Sequence, residues 1–250
     1  MSIAKKLCQG LALSGLLATS IAANATIVTF ETSHGDISVN LFDKTTPKTV
    51  DNFMAYVEAG TYNQSVIHRS VAGFITQGGG FTYDGEKMVA VDKNSAVVNE
   101  PVYSNVKGTI AMAKLGGDPH SATSQWFFNL SDNSANLDVQ NGGFTVFGQV
   151  VAGMDVVEKI AALKTCNLPM NSGSTPAPVD GVDGCTGVGV ENLVSIANID
   201  ITDPSDATSD SLSPAKNTLI NAKGDSSSGG SFGFLSMLAF GLVWLRRQNF

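Results

Sequence analysis

Short runs in which apolar and polar residues alternate occupy most of the chain between residues 26 and 202. Residues 26–42 contain two such runs, and the residues between them, Ser33-His34-Gly35-Asp36, are typical of a turn. The pattern therefore predicts a β-hairpin at the start of this region. Further β-type runs, each bounded by Gly, Asn or Asp, predict strands at residues 65–68, 73–77, 97–99, 109–113, 126–130, 145–150 and 193–202.

Two segments instead carry apolar residues at the spacing of a helix face. The first begins after Thr46, which can cap a helix, has Pro47 in its first turn and ends at Gly60. The second, residues 154–163, follows Gly153. The predicted apolar faces consist of Val50, Phe53, Met54 and Val57 in the first helix and of Val157, Ile160 and Leu163 in the second.

Many short strands with only two helices favour a mainly β fold. A closed or nearly closed barrel with helices covering its ends is the expected architecture, because closure removes exposed strand edges. We assign residues 26–203 to this one domain, which is long enough to bury a full core.

The first 25 residues have the features of a Sec-type signal peptide. Lys5 and Lys6 form the charged start, residues 11–21 are apolar, and Ala23-Asn24-Ala25 is a small-residue cleavage site. The apolar stretch is shorter than the ~20 residues of a spanning helix, so cleavage is favoured over an uncleaved anchor. We expect an exported protein that loses Cys8 with its leader.

The other end of the chain has two parts. Residues 204–230 are rich in Ser, Asp, Asn and Gly, which predicts a flexible linker. Residues 231–250 contain a short apolar run followed by Arg246-Arg247, and this order resembles the GlyGly-CTERM sorting tails of Gram-negative bacteria. That resemblance implies processing near Gly229-Gly230. It also implies a location in the periplasm, at the cell surface or outside the cell. The alternative is a plain C-terminal membrane anchor, with membrane contact through the tail.

The charge of the central region excludes one class of partner. Four of the 15 basic residues lie in the two ends, which leaves 11 against 22 acidic residues and a net charge near −11. The lysines show no clustering. Nucleic acid is therefore not an expected partner, since its phosphates demand a basic face.

Two cysteines, Cys166 and Cys185, remain in the predicted mature chain. In an exported protein such a pair is most simply a disulfide, which stabilises by about 3 kcal/mol in the chain-entropy model. A metal site is the alternative, but no His lies near either Cys in the sequence. Residues 164–190, rich in Gly, Pro and Ser, are interpreted as an insertion that forms a disulfide-linked surface loop.

The common catalytic motifs are missing from the sequence. No Gly-x-Ser-x-Gly elbow occurs, and the three glycines at 78–80 lack the Lys-Ser/Thr of a phosphate loop. His34, His68 and His120 fit no metal-ligand spacing. The sequence implies no metal and no cofactor.

Three separated stretches carry a resemblance to a known family. "IHRSVAGFITQGGGFT" resembles the "FHRxxxGFxxQGGxFT" signature of cyclophilins, the peptidyl-prolyl cis/trans isomerases. "GTIAMAKLGGDPHSATSQWFFNL" and "NLDVQNGGFTVFGQVVAGMDVVEKI" are similar to the second and third signatures, in the same order. The resemblance covers about residues 26–202 and implies an eight-stranded antiparallel barrel closed by two α-helices.

The resemblance also implies an activity and a set of site residues. The activity is the acceleration of Xaa-Pro rotation in proline-containing peptides and unfolded exported proteins, by a monomer. Arg69 and Gln77 are the expected catalytic residues. The expected substrate-binding residues are His68, Phe74, Met112, Ala113, Gln125, Phe127, Leu137 and Phe144. Without the motifs, barrel core is the favoured interpretation of Phe74, Met112 and Phe127, a turn residue that of Gln77 and a structural histidine that of His68; the three motifs in register reverse this preference for the site residues.

Arg69 is the only arginine outside the C-terminal pair Arg246-Arg247, and its chemistry suits the expected reaction. Rotation about an amide makes no bond and breaks none, but its barrier is ~18–20 kcal/mol. In the twisted state the prolyl nitrogen accepts a hydrogen bond that the planar state accepts poorly, so a donor placed there acts selectively on the transition state. A permanently charged, planar guanidinium fits this role better than a lysine.

Four positions depart from the family pattern. Asn136 stands where Trp or Phe is common, Phe144 where His or Tyr is common, Ala72 in place of a Pro, and Trp126 in place of a Phe. Loss of the aromatic at position 136 predicts a weaker grip on substrate and insensitivity to cyclosporin. It also supports the alternative that the chain is a proline-segment binding module or chaperone with little turnover.

Overall fold

A curled antiparallel β-sheet with two principal helices forms the domain. The computed structural model describes residues 26–204 and 212–221. The predicted signal peptide, the sorting tail and most of the predicted linker lie outside these residues. The strands are β1 (Ile27–Thr32), β2 (Gly35–Leu41), β3 (Ser65–Val66), β4 (Arg69–Val71), β5 (Ile75–Gly78), β6 (Phe81–Tyr83), β7 (Met88–Ala90), β8 (Thr109–Met112), β9 (Trp126–Asn129), β10 (Val146–Ala152), β11 (Lys164–Pro169), β12 (Ser174–Val179) and β13 (Ser195–Asp203). The helices are α1 (Pro47–Glu58), the single turn α2 (Ser134–Leu137) and α3 (Met154–Ala162).

The main sheet has the order β3-β13-β1-β2-β10-β8-β9-β5-β4, with every pairing antiparallel. Its two edge strands, β3 and β4, are separated by Ile67 and His68 alone. The N–H of Ile67 donates to the Val194 carbonyl at 2.9 Å, and that of His68 donates to the Gln77 carbonyl at 3.1 Å. β3 and β4 are therefore two halves of one strand that joins both edges of the sheet. Counted so, the barrel has eight strands, and the predicted mainly β fold is confirmed.

Alternation along the strands separates two apolar clusters. Ile110, Met112, Trp126 and Phe128 lie in the larger one, which fills the barrel and is called the barrel core below. The residues between them, Ala111 and Phe127, belong to a second cluster on the opposite face. Because successive side chains of a strand point to opposite faces, one pair of strands lines both clusters.

Helix α1 covers one end of the barrel by burying Val50 and Phe53. Thr46 stands at its N-cap as predicted, but the Thr46 side chain makes no capping bond. The carboxylate of Glu100 takes this role, accepting the N–H of Thr49 at 2.9 Å and that of Lys48 at 3.4 Å. A carboxylate at the N-terminus also interacts favourably with the helix dipole. Helix α3 buries Val156, Val157 and Ile160 in the same core.

The insertion at residues 164–190 contains more regular structure than a loop. Strands β11 and β12 pair as a hairpin, and Cys166 is bonded to Cys185, as predicted. The insertion has its own small apolar cluster, which includes Cys166, Leu168 and Val179 together with Val66 and Met88 of the main domain. The hydroxyl of Thr175 donates to the His68 carbonyl at 2.7 Å. The insertion thus packs behind the strand that carries Arg69.

Two further local predictions differ from the structure. Residues 97–99 form no strand, since only Val97 makes a β-bridge, with Ala122. Residues 212–221, predicted as linker, pack on the domain through a bridge between Lys216 and Tyr103. Within the described residues, no helix has the length and apolar character needed to cross a membrane.

Candidate active site

A row of side chains crosses four neighbouring strands on the face opposite the barrel core. Arg69 on β4 lies opposite Gln77 on β5, and Gln77 lies opposite Phe127 on β9. Phe127 in turn lies opposite Ala111 on β8. Directly opposed residues of an antiparallel sheet project from the same face, so the sheet brings a cation, an amide and an aromatic ring together.

Hydrogen bonds hold the polar part of this row. Arg69 Nη1 donates to Gln77 Oε1 at 3.2 Å, and Gln77 Nε2 donates to Gln125 Oε1 at 2.8 Å. Within residues 26–204 and 212–221, no carboxylate lies within salt-bridge distance of Arg69. Burial lowers the pKa of Arg69, yet a guanidinium keeps its charge in proteins. The N–H groups of Arg69 that do not bond to Gln77 therefore have no carboxylate partner among the described residues.

The second cluster adjoins this row and is called the apolar site. It brings together five of the residues predicted to bind substrate: Phe74, Ala113, Phe127, Leu137 and Phe144. Its other members are Phe42, Ile75, Val102, Tyr103, Ala111, Val146 and Leu212. Apolar side chains beside a positioned cation are the combination expected for gripping a proline ring near a hydrogen-bond donor.

Residues 137–144, the pocket loop, carry two of these side chains. The N–H of Phe144 donates to the Leu137 carbonyl at 2.8 Å, which closes the loop. The Phe144 ring meets the Phe127 ring edge-on, with centroids 6.0 Å apart. The buried carboxylate of Asp138 accepts the backbone N–H of Asn105 at 2.8 Å and its side-chain amide at 2.9 Å. These bonds anchor the loop to the chain segment before β8.

Lys114 also fixes the pocket loop, a role that the sequence did not indicate. Its Nζ donates to the carbonyls of Asn141 at 2.8 Å and Gly143 at 2.6 Å. The same atom lies 4.7 Å from the centroid of the Phe144 ring, which makes a cation–π contact. Burial lowers the pKa of Lys114 to about 8, while the charge of Asp118 opposes this shift. A lysine that follows an apolar strand is normally expected on the surface, so the sequence did not indicate a structural role for Lys114.

Packing explains the three consecutive glycines. A Cβ at Gly78 lies 2.7 Å from the Trp126 ring, and one at Gly79 lies 2.7 Å from the Ser124 carbonyl oxygen. A Cβ at Gly80 lies 2.7 Å from the Gln125 side chain. Gly79 also has φ +74°, which favours glycine. The glycines therefore let β5 approach the segment that holds Gln125.

His68 lies behind the site, which corrects its prediction as a substrate-binding residue. The side chain is buried, and its ring packs edge-on against Phe81 with centroids 4.8 Å apart. Burial, then the nearby charge of Arg69, lowers the pKa of His68 to about 3, although a hydrogen bond with Gln125 opposes the shift. His68 is therefore a buried, neutral residue that holds Gln125 in place through a hydrogen bond.

Met112 was predicted to line the proline pocket, and this prediction is wrong. Its side chain is fully buried in the barrel core, beside Trp126 on the neighbouring strand. Ala111 occupies the other face of β8, so alternation directs Met112 inward. Ile75 of the apolar site was missed, although its position two residues before Gln77 on one strand places both on the same face.

Comparison with known proteins assigns this fold and site to a family. Residues 27–182 match the family model described as cyclophilin type peptidyl-prolyl cis-trans isomerase/CLD. The chain belongs to the cyclophilin family. It is 43% identical to the peptidyl-prolyl cis-trans isomerase B of Escherichia coli over 143 residues, 56% of this chain and 86% of that protein. It is 38% identical to the peptidyl-prolyl cis-trans isomerase of Acinetobacter baylyi over 169 residues, 67% of this chain and 88% of that protein.

Solved structures agree on the fold. A cyclophilin type peptidyl-prolyl cis-trans isomerase of Cryptosporidium parvum, crystallised in the presence of the dipeptide Ala-Pro, matches with a TM-score of 0.50. The match covers 71% of this chain and 99% of that one at 23% sequence identity. As a cyclophilin with these relatives, the chain is a peptidyl-prolyl cis-trans isomerase, a class that binds proline-containing peptides.

The departures from the cyclophilin pattern have different structural settings. Trp126 is fully buried in the barrel core, so this change concerns packing inside the barrel. Ala72 is exposed in the turn between β4 and β5. Asn136 is partly buried in α2, directly before the pocket loop, and its Oδ1 is buried without a hydrogen-bond partner in the described part of the chain. Only Asn136 and Phe144 adjoin or enter the apolar site.

Proposed function

We propose that this isomerase acts through Arg69, with the proline ring of the substrate in the apolar site. One observation carries the proposal: the hydrogen-bonded row from Arg69 through Gln77 to Gln125 runs alongside Phe127 and Phe74. The ring of a proline held there places its nitrogen toward the guanidinium. The N–H of Ala113 donates to the Gln125 carbonyl at 2.9 Å. Ala113 therefore contacts the peptide that flanks the proline through its backbone carbonyl.

The reaction needs no proton transfer and no covalent step. When the Xaa-Pro amide twists, its nitrogen becomes pyramidal and accepts a hydrogen bond from Arg69. The planar amide accepts this bond poorly because its lone pair is delocalised. The bond therefore forms chiefly in the transition state and lowers the barrier. Gln77 holds the guanidinium in place for this contact.

The test is an NMR exchange assay of cis/trans rotation in an Ala-Pro peptide, with the purified protein and its Arg69→Ala and Arg69→Lys variants. We expect Arg69→Ala to lower kcat/KM roughly 100-fold, the size of effect that follows removal of one transition-state donor. Arg69→Lys keeps the charge but loses the planar fork, and we expect it to recover little activity. Circular dichroism shows whether each variant is folded. A folded Arg69→Ala variant with full activity contradicts the proposal.

A binding module with little turnover is the second candidate, and Asn136 favours it. An amide at this position adds no aromatic surface to the site. The same assay separates the two candidates: a folded protein that binds the peptide but does not accelerate exchange is a proline-binding module. For the isomerase, the amide at position 136 predicts insensitivity to cyclosporin.

We further propose that the substrates are proline-containing segments of exported proteins and that the enzyme acts as a monomer outside the cytoplasm. Thr26, the first residue after the predicted cleavage site, supports export. Its backbone nitrogen lies 2.9 Å from Asp43 Oδ2, and its hydroxyl donates to Oδ1 at 3.0 Å. Cleavage after Ala25 turns this nitrogen into a charged amino group already beside a carboxylate. Processing of a sorting tail near Gly229-Gly230 is part of the same proposal, and attachment to the membrane through residues 231–250 is the alternative to it.

A further inference from the structure

Residues 212–221, the C-terminal strap, lie against the domain beside the apolar site. The strap runs antiparallel to residues 102–104, with a β-bridge between Lys216 and Tyr103. The N–H of Ser104 donates to the Ala215 carbonyl at 2.8 Å, and that of Asn217 donates to the Val102 carbonyl at 2.9 Å. Backbone pairing therefore fixes the register of this segment on the domain.

Asn217 connects the strap to the pocket loop. Its Nδ2 donates to the Asp138 carbonyl at 3.0 Å. Its Oδ1 accepts the N–H groups of Leu219 and Ile220, both at 3.0 Å. Ile220 in turn reaches Gly143, where its Cδ1 lies 3.1 Å from the position that a Cβ would occupy. One strap side chain and its neighbours thus contact the pocket loop near both of its ends.

Leu212, at the other end of the strap, packs against the apolar site. This cluster also contains Phe74, Phe127 and Leu137, the side chains to which we assign the proline ring. Asn136, the residue before Leu137, contributes an amide with a buried and unpartnered oxygen within the described region. Leu212 therefore adds apolar surface, from a distant part of the chain, to the same cluster that contains Leu137, the residue after Asn136.

We propose that the C-terminal strap is a substrate-recognition element of this isomerase, with Leu212 as part of the apolar wall and Asn217 as its anchor. The inference rests on the assignment of the apolar site as the proline-binding site. Leu212 belongs to the apolar cluster rather than to the row of Arg69. Its contribution is therefore to the binding of the proline segment and not to the hydrogen bond that lowers the barrier.

The experiment compares Leu212→Ser, Asn217→Ala and the matched control Leu219→Ser in the full chain. Leu219 is a half-buried strap residue that belongs to none of the apolar clusters. The affinity for an Ala-Pro peptide is measured by NMR titration, and kcat and KM come from exchange kinetics. Loss of one apolar wall predicts an affinity and KM weakened roughly five- to tenfold in Leu212→Ser, with kcat retained. We expect Asn217→Ala to change in the same direction and Leu219→Ser to match the parent.

Three results overturn the inference. If Leu212→Ser and Asn217→Ala bind the peptide as Leu219→Ser does, the strap only packs on the domain. If releasing the strap tightens binding, the strap competes with substrate. A folded parent that binds no proline peptide overturns both the strap and the site. Retained activity in Arg69→Ala contradicts the catalytic assignment alone, because the binding data test the strap independently of turnover.

Discussion

At the scale of single residues, Gln77 decides how Arg69 is presented. Gln77 is buried, and its amide oxygen and nitrogen are both used, toward Arg69 and Gln125. Replacement of Gln77 by an apolar residue would leave polar atoms of Arg69 and Gln125 without these hydrogen bonds. We therefore expect Gln77 to be a positioning residue for the guanidinium, so that its loss acts through Arg69.

We expect Gln77→Leu to lower kcat about tenfold, less than the loss of Arg69 itself, because the cation remains but is no longer held. One lost hydrogen bond to a charged group corresponds to about 1.5 kcal/mol. The affinity for the Ala-Pro peptide, measured by NMR titration, should change less than kcat. A Gln77→Leu variant with unchanged kcat would show that Arg69 needs no such support.

His68 makes the stability of the domain depend on pH. Its pKa is about 3 in the folded protein, below the ordinary value of 6.5. Between these values the unfolded chain binds a proton that the folded protein does not, so stability falls as pH falls below about 6.5. Between pH 7 and pH 5 the expected loss from this residue is about 2 kcal/mol.

Urea unfolding at pH 7 and pH 5 measures this loss, with His68→Gln as the control that cannot take up the proton. The parent should lose about 2 kcal/mol more than the variant over this interval. Equal losses in the two proteins would mean that the imidazole is not held neutral. Since His68 stays neutral above pH 5, we also expect no inflection near pH 6.5 from this residue in the activity profile.

At the scale of elements, the insertion at residues 164–190 shows why its hairpin escaped prediction. Strand β12 contains Pro176 and Pro178, and β11 ends at Pro169, which made the segment resemble a loop. Each strand of this two-stranded sheet is an edge strand. The outward N–H groups of an edge strand make no ladder hydrogen bonds, so a proline, which lacks an N–H, is tolerated at these positions. The prolines of β11 and β12 are thus compatible with a two-stranded hairpin, although they would not be expected in a central strand.

Removal of the disulfide should destabilise the domain. A Cys166→Ala/Cys185→Ala variant loses the cross-link over a sequence separation of 19, which predicts a loss of about 3 kcal/mol. The corresponding fall in Tm is about 10 °C for a domain of this size. Thermal unfolding followed by circular dichroism measures the difference. The parent in reductant should approach the variant, whereas the variant should not respond to reductant. A variant with the parent's Tm would show that the hairpin's own packing suffices.

At the scale of the whole molecule, the N-terminus of the barrel is tied to Asp43. Burial raises the pKa of this carboxyl, while its hydrogen bonds to Thr26 act in the opposite direction. If export removes residues 1–25, the new amino group at Thr26 pairs with Asp43. We expect the protein recovered from the periplasm of a Gram-negative host to begin at Thr26, as intact mass and N-terminal sequencing show. A protein that retains residues 1–25 contradicts the predicted cleavage.

Asp43→Asn tests the energetic side of the same feature. In the processed protein we expect this variant to unfold more easily by about 1 kcal/mol, because an ion pair at a partly buried site is replaced by a neutral contact. Asp92→Asn, a change at an exposed residue whose charge is not among those that act on Asp43, is the control for the change in net charge. Equal stability of the two variants would show that the amino group makes no pair.

The fold class, both principal helices, the disulfide and the family could all be predicted from the amino-acid sequence. These depend on local patterns: alternation, helical spacing and short motifs around Arg69, Gln77 and Phe127. The same motifs named five of the twelve members of the apolar site, since Phe74, Ala113, Leu137 and Phe144 belong to it together with Phe127.

The contacts between residues far apart in the chain could be read only from the folded structure. Alternation shows that Met112 and Ala111 point to opposite faces, but closure of the sheet determines which face is the barrel core. Glu100 caps α1 and Lys114 holds the pocket loop through contacts 51 and 27 residues apart in sequence. The strap is the clearest case. Its polar composition predicted a linker, whereas backbone pairing with residues 102–104 and the packing of Leu212 place it beside the site. Such contacts depend on surfaces that exist only after the barrel has formed.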